Sequence, residues 1–237
     1  MRQVVTEWGR KAADLYEAGY ARRYRQHDEE LTHVEAYHAF CDWLRDTCAR
    51  FRKPIDVLDL GCGTGRYFAA LTNVNRLVGL DASGAMLAEA ANPLAAQHIT
   101  ARTIQLVQGD ALTEGFPAGS FDLVYSIGVL AEHTPFDDRI VSNVARWLRP
   151  GGRFAFTTVH PDSPSIPKTA GRAIGRAMLP FSIGPARRWL RRRLTADGQY
   201  ADESLIVERL DDTFLVESML RLQSEAHLHC VCVAIRA

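Results

Sequence analysis

Apolar and aromatic residues at Trp8, Ala12, Tyr16, Tyr20 and Tyr24 recur every four positions, and Val34, Tyr37, Cys41, Leu44, Cys48 and Phe51 follow in steps of three and four. Both spacings gather their residues on one helix face, so the first fifty residues read as helices. From Ile55 the pattern changes. IDVLDL, RLVGLD, IQLVQ, FDLVYSIGV and RFAFTTV are short, apolar and partly β-branched, as buried strands are. Helical patterns separate them: Tyr67, Phe68 and Leu71 after the first, residues 83–91 after the second, and Ile140, Val144, Trp147 and Leu148 before the turn-forming Pro150, Gly151 and Gly152. A helical ESLIVERLDD and two strand-like runs, FLVESMLRLQ and HLHCVCVAIR, close the chain. Strands alternating with helices imply an α/β fold with a parallel sheet and right-handed crossovers.

The first strand breaks into three alternating glycines, Gly61, Gly63 and Gly65, before a helical pattern begins. Glycine tolerates positive φ and lets a ligand approach the backbone, and a helix N-terminus offers unpaired N–H groups at the same place. Such turns mark the nucleotide crevice of doubly wound sheets, although a ligand-free βα turn has the same pattern. Asp81 favours the ligand. It ends the second strand about 20 residues after the turn, the interval that sets an acid against a ribose in dinucleotide folds. Its other reading is a cap for the helix near Ser83. Ligand groups gather at the carboxyl ends of parallel strands, which here are Asp59, Asp81, Asp110, residues 126–133 and His160.

Composition narrows the setting. The 237 residues suffice for one large α/β domain with an insertion, and a formal net charge of zero gives no global attraction to nucleic acid or anionic membrane. Five cysteines without a C-x-x-C pair, and no signal-peptide pattern, point to a reducing cytoplasm. Cys230 and Cys232 share one face of a strand and read as core thiols, and no metal site is expected. No apolar run is long enough to span a bilayer.

In order and spacing, VLDLGCGTG, LDAS, QGD, FDLVYSIGVLAEH and RWLRPGGRFAF resemble the motifs of class I S-adenosylmethionine-dependent methyltransferases, over roughly residues 55–160. The resemblance implies a Rossmann-like, doubly wound, seven-stranded, mostly parallel sheet with a closing antiparallel strand pair. It implies S-adenosylmethionine as cofactor, with Asp59 and Gly61 at its methionine part, Asp81 at the ribose hydroxyls, and Asp110 with Ala111 near the adenine. Ser126 and Ile127 line the cofactor toward the substrate, and Cys62, Gly63, Gly65 and Ala82 complete the expected set. Tyr16 and Tyr20 are expected to cover the cleft. A cationic sulfonium suits carboxylate walls. Arg66 stands where a G-x-G-x-x-G dinucleotide motif needs glycine, which weakens a dehydrogenase reading.

The expected organisation is one domain: an N-terminal helical cap over 1–52, the cofactor-binding core over 53–160, a basic lid-like insertion over 161–200, and a closing helix and β-hairpin over 201–237. Lys168, Arg172, Arg176, Arg187, Arg188, Arg191, Arg192 and Arg193 stand in the insertion with no acid between them, on what read as two short amphipathic helices. As a lid, the insertion brings Arg188 and Arg191 to an anionic acceptor that also meets Glu132. As a surface segment it lies on anionic lipid through Trp189 and Phe181. The plain alternative pairs its arginines with acids elsewhere.

Methyl transfer is an in-line displacement, so orientation supplies much of the catalysis, and an amine or phenolate acceptor needs little else. A hydroxyl acceptor benefits from a base, for which His133 and His160 are the candidates and Glu132 a weaker third. The expected function is O- or N-directed methylation of a small molecule in the cytoplasm. One alternative is a tRNA-modifying methyltransferase, because GCGTGRYF and SIGV resemble the wobble-uridine family. Paired histidines are expected there, however, and Ala131, Glu132 and His133 stand here. Another is a cofactor-binding regulatory or scaffold subunit without chemistry.

Overall fold

The computed structural model describes residues 5–166, 169–194, 200–224 and 227–237; for Ala170, Arg172, Ala173, Arg176, Arg188 and residues 191–193 it describes the backbone alone. Three helices, α1 (Glu7–Leu15), α2 (Ala18–Leu31) and α3 (Glu35–Ala49), lead into β1 (Ile55–Leu60), β2 (Val74–Asp81), α4 (Gly84–Ala90), β3 (Thr103–Gln108) and β4 (Phe121–Ser126). Then come α5 (Asp138–Trp147), β5 (Leu148–Val159), α6 (Ala170–Met178), α7 (Gly184–Leu194), α8 (Glu203–Leu210), β6 (Phe214–Gln223) and β7 (Leu228–Arg236). The sheet has seven strands in the order β3-β2-β1-β4-β5-β7-β6. Neighbours from β3 to β5 pair parallel, while β7 is antiparallel to both β5 and β6. This is the expected doubly wound sheet with its closing pair, and strand order reverses beside β1, where such sheets bind ligands.

Alternation along the strands divides the core between two faces. Leu58 and Leu60 face Val124, Phe154 and Phe156 in a cluster closed by Trp147 of α5 and Ile206 of α8. Val57 meets Leu123, Tyr125 and Val233 on the opposite face, under Leu44 and Cys48 of α3. Ile140, Val141, Val144 and Trp147 supply the buried face of α5, and each large side chain removed from water in this way stabilises the fold by about 1.5–3 kcal/mol.

Three expectations need correction. The four-residue stripe from Trp8 to Tyr24 is not one helix, because the chain breaks at Tyr16 and Glu17, where the Glu17 carboxylate accepts from the N–H groups of Gly19 and Tyr20 and starts α2 afresh. No full helix follows the glycine turn. Phe68–Ala70 form a single 3-10 turn before β2 begins at Val74. The Pro150–Gly151–Gly152 segment lies inside β5, which bulges against β4 between Phe121 and Leu123. In the insertion α6 and α7 do form, packed where Gly175 faces Leu190 and Leu194.

Candidate active site

The carboxyl ends of the parallel strands open into one cleft of about 700 Å³, roofed by α1 and α2 and reaching α3 and the β6–β7 turn. At its cofactor end the glycine turn is held in the left-handed region, with φ of 79° at Gly61, 54° at Gly63 and 75° at Gly65. Gly61 is irreplaceable for a second reason. A Cβ there would run into the Val129 side chain, which packs directly on the Gly61 backbone. In place of a helix terminus, Asp81 organises this turn. Its carboxylate accepts from Gly63 N–H at 2.8 Å and from Ser83 N–H at 2.9 Å, while Ser83 itself caps α4.

Asp59 is buried, accepts from the Tyr125 hydroxyl at 2.6 Å, and is pushed up to about 8 by loss of solvent. Burial also raises Asp81 and holds the Cys62 thiol in its neutral form. Asp110 closes the far side. It accepts from the Thr6 N–H at 2.8 Å and from the Thr6 hydroxyl, tying the start of α1 to the end of β3. Ala82, Ala111 and Ile127 line the cleft as expected, but Ser126 does not; it is fully buried and donates to the Leu60 carbonyl at 2.8 Å. Backbone packing between β4 and β1 takes the hydroxyl that the resemblance assigned to the cofactor.

Across the cleft, Tyr16 and Tyr20 form the roof, and the Tyr16 hydroxyl stands 2.9 Å from Nε2 of His133. The turn from Val129 to Thr134 presents that histidine, with Ala131 at φ 59° and the Val129 carbonyl accepting from the N–H groups of Glu132, His133 and Thr134. Burial lowers His133, raises Glu132 to about 7, and keeps Tyr16 protonated. His160 is elsewhere. It is buried off the cleft, its Nδ1 accepting from Asp162 N–H at 3.0 Å and its Nε2 3.5 Å from Glu203. His160, Glu203 and Cys230 do converge, but Glu203 is already held by two hydrogen bonds from Arg221. No described residue of α6 or α7 lines the cleft, and the side chains of Arg188 and Arg191 lie outside the described residues.

Sequence patterns missed part of the lining. Arg66 pairs with the buried Asp28 of α2, and its guanidinium lies against the rings of Tyr24 and Tyr67. Tyr37, Phe40 and His229 extend that wall. For Tyr24 and Tyr37 the one signal was the aromatic periodicity of the N-terminal helices, which equally fits core packing, and Phe40 and His229 carried none.

A doubly wound sheet with a glycine turn and three strand-end carboxylates in one cleft defines a cofactor-binding α/β domain. Residues 57–152 match the sequence profile of the methyltransferase domain. The probable chloroplastic tocopherol O-methyltransferase of Oryza sativa subsp. japonica is 38% identical over 111 residues, 45% of this chain and 30% of that protein. The malonyl-[acyl-carrier protein] O-methyltransferase of Enterobacter lignolyticus is 36% identical over 157 residues, 65% of this chain and 56% of that one. The chain thus spans about half the length, or less, of such relatives. In fold it is similar to the magnesium protoporphyrin IX methyltransferase of Synechocystis PCC 6803 with bound SAH, at a TM-score of 0.66 and 18% identity over 98% of this chain and 100% of the other. Over residues 57–152 the chain thus carries a methyltransferase-domain profile, and the relatives named here are methyltransferases.

Proposed function

We propose that the protein transfers a methyl group from S-adenosylmethionine to a small-molecule acceptor. One observation carries the reading: a single cleft gathers Asp59, Asp81 and Asp110 at one side and the Tyr16–His133 hydrogen bond at the other. The residues fit the cofactor, because the glycine turn leaves space where side chains would stand and the strand-end acids offer acceptor oxygens to its polar groups. On this reading Asp81 takes the ribose, Asp59 the methionine part and Asp110 the adenine, the roles that the resemblance implies. When bound, the sulfonium supplies an activated methyl group for in-line displacement.

The chain's own residues exclude water, orient the acceptor and receive a proton where the acceptor is a hydroxyl. With Tyr16 protonated and donating, His133 Nε2 is the bare nitrogen of a neutral ring. A proton from the acceptor therefore reaches Nε2 by way of Tyr16, which accepts one proton as it releases another. Glu132, close to half-ionised at neutral pH, is a second receiver at the same turn. The test is incubation with methyl-labelled S-adenosylmethionine and cell extract. Label in the small-molecule fraction with stoichiometric S-adenosylhomocysteine is the expected result. RNase-sensitive label would establish the tRNA alternative, and binding without turnover the scaffold alternative.

We further infer weak contact with an anionic membrane surface through the insertion. Phe181 and Ile183, between α6 and α7, are 88% and 82% exposed, and eight cations stand in the surrounding sequence with no acid among them. Apolar tips within a cationic segment suit a charged interface. Among the described residues no helix is long and apolar enough to cross a membrane.

A further inference from the structure

The cleft continues beyond the Tyr16–His133 pair along an unbroken run of rings. Tyr16 stands edge-on to Tyr24 with centroids 5.9 Å apart. The Arg66 guanidinium bridges Tyr24 and Tyr67, 5.3 and 5.6 Å from their centroids. Tyr67 is stacked by Tyr37 at 5.7 Å and meets Phe40 edge-on at 6.3 Å, and Phe40 meets His229 edge-on at 5.5 Å. Arg66 adds no net charge, because Asp28 pairs with it. The ring wall therefore suits a flat, apolar body, while Arg23, over the Tyr20 ring, is a cation in the lining of the same cleft outside that wall.

His229 ends this wall with a nitrogen left over. The residue is 6% exposed and lines the cleft, and its Nε2 lies 3.0 Å from the Ser224 hydroxyl. That hydroxyl donates its one proton to the His227 carbonyl at 3.1 Å and accepts from the His227 N–H at 3.2 Å. The proton between Ser224 and His229 must then come from His229 Nε2. Burial and the neighbouring His227 lower the ring to about 4, so it is neutral and Nδ1 carries a free lone pair. Among the described residues Nδ1 has no hydrogen-bond partner. A buried acceptor without a partner is costly, and a site in which a ligand's donor reaches it discriminates against analogues that lack one.

We propose that His229 is a specificity-determining residue of the acceptor site: a planar, uncharged acceptor lies along the ring wall with the atom to be methylated toward His133 and a separate O–H or N–H donating to His229 Nδ1. This rests on the methyltransferase reading and adds the class of acceptor to it.

Naphthol and its methyl ether test it, because they share one flat body and differ in the donor. Calorimetry on the S-adenosylhomocysteine complex should show naphthol binding roughly five- to tenfold more tightly, the worth of one buried hydrogen bond. In His229→Phe that preference should vanish with S-adenosylhomocysteine affinity unchanged, and in His133→Ala it should persist. Equal affinities in the wild type, or a preference surviving His229→Phe, would overturn the proposal. If His229→Phe does not fold, nitrogen NMR of the wild type decides instead. The Nδ1 resonance of His229 should move upfield with naphthol and not with the ether, and an unmoved resonance overturns the assignment. Failure of S-adenosylhomocysteine to bind would refute the methyltransferase reading separately, and the same comparison on the free protein would still decide the recess.

Discussion

The Arg66 guanidinium lies 2.5 Å from Oδ1 of Asp28, joining the turn after the third glycine to the interior of α2. Asp28 is fully buried and also accepts from the Thr64 hydroxyl, while Arg66 donates to the Tyr24 hydroxyl at 2.8 Å. Removing one member of a buried pair leaves the other charge uncompensated, so Arg66→Met should cost about 3–5 kcal/mol in urea unfolding. Combining it with Asp28→Leu should recover much of the loss. A single variant within about 1 kcal/mol of wild type would show that the pair is solvated in solution.

Tyr16 and His133 should act as one unit. With a hydroxyl acceptor, Tyr16→Phe and His133→Ala should each lower kcat about 100-fold, and the double variant little further. Cofactor affinity should hardly change. Because burial lowers His133, the acid limb of the wild-type rate profile should fall below the usual imidazole value. Near-wild-type turnover of both single variants from about pH 6 to 9 would point to an amine or already ionised acceptor.

Asp81→Ala should weaken S-adenosylmethionine binding by about 2–4 kcal/mol through loss of charge-assisted bonds to the ribose. Asp81 also holds the N–H groups of Gly63 and Ser83, so Asp81→Asn, which keeps one acceptor oxygen, separates turn geometry from ribose recognition. An Asn variant with wild-type affinity would assign Asp81 to the turn alone. Calorimetry reads both.

Glu132 makes stability depend on pH in a definite sense. The folded protein holds a proton to about 7 that the unfolded chain releases near 4.5, so the stability of the protonated form is full below the lower value and lost as pH rises through the higher one. Glu132→Gln should therefore gain about 1–2 kcal/mol relative to wild type between about pH 5 and pH 8. Urea midpoints that shift equally at both pH values would mean the carboxylate stays hydrated.

Vesicles containing phosphatidylserine should sediment the wild-type protein at low salt and release it at high salt. Phe181→Ser with Ile183→Ser should reduce the bound fraction several-fold, and neutral phosphatidylcholine vesicles should bind little. Equal sedimentation with both lipids would remove the electrostatic half of the inference.

Strand-end positions were legible because the sheet's period, the glycines and the carboxylates each left a local mark. Asp59, Asp81, Asp110 and His133 all reach the cleft for that reason. Ser126 and His160 failed the same rule. A residue at a strand end has two directions to face, and one carbonyl, at Leu60, or one neighbouring acid, at Glu203, decides between them. In the sequence Arg66 shows only as a missing glycine. Its partner Asp28 lies 38 residues earlier by subtraction, in a helix whose polar face gives no sign that one acid is buried. The break at Glu17 was hidden because Tyr16, Tyr20 and Tyr24 keep helical spacing across it.

On the proposed reading, the Thr6–Asp110 contact gives the reaction a clock. Because the start of α1 engages one oxygen of the carboxylate proposed for the adenine, a cofactor that takes that oxygen must displace the Thr6 contacts. Arrival of the cofactor then has two tempos, a collision that quickens with concentration and a release that does not. In rapid mixing, the observed rate should climb and then level off at the rate of α1 opening, and Thr6→Ala should raise that plateau.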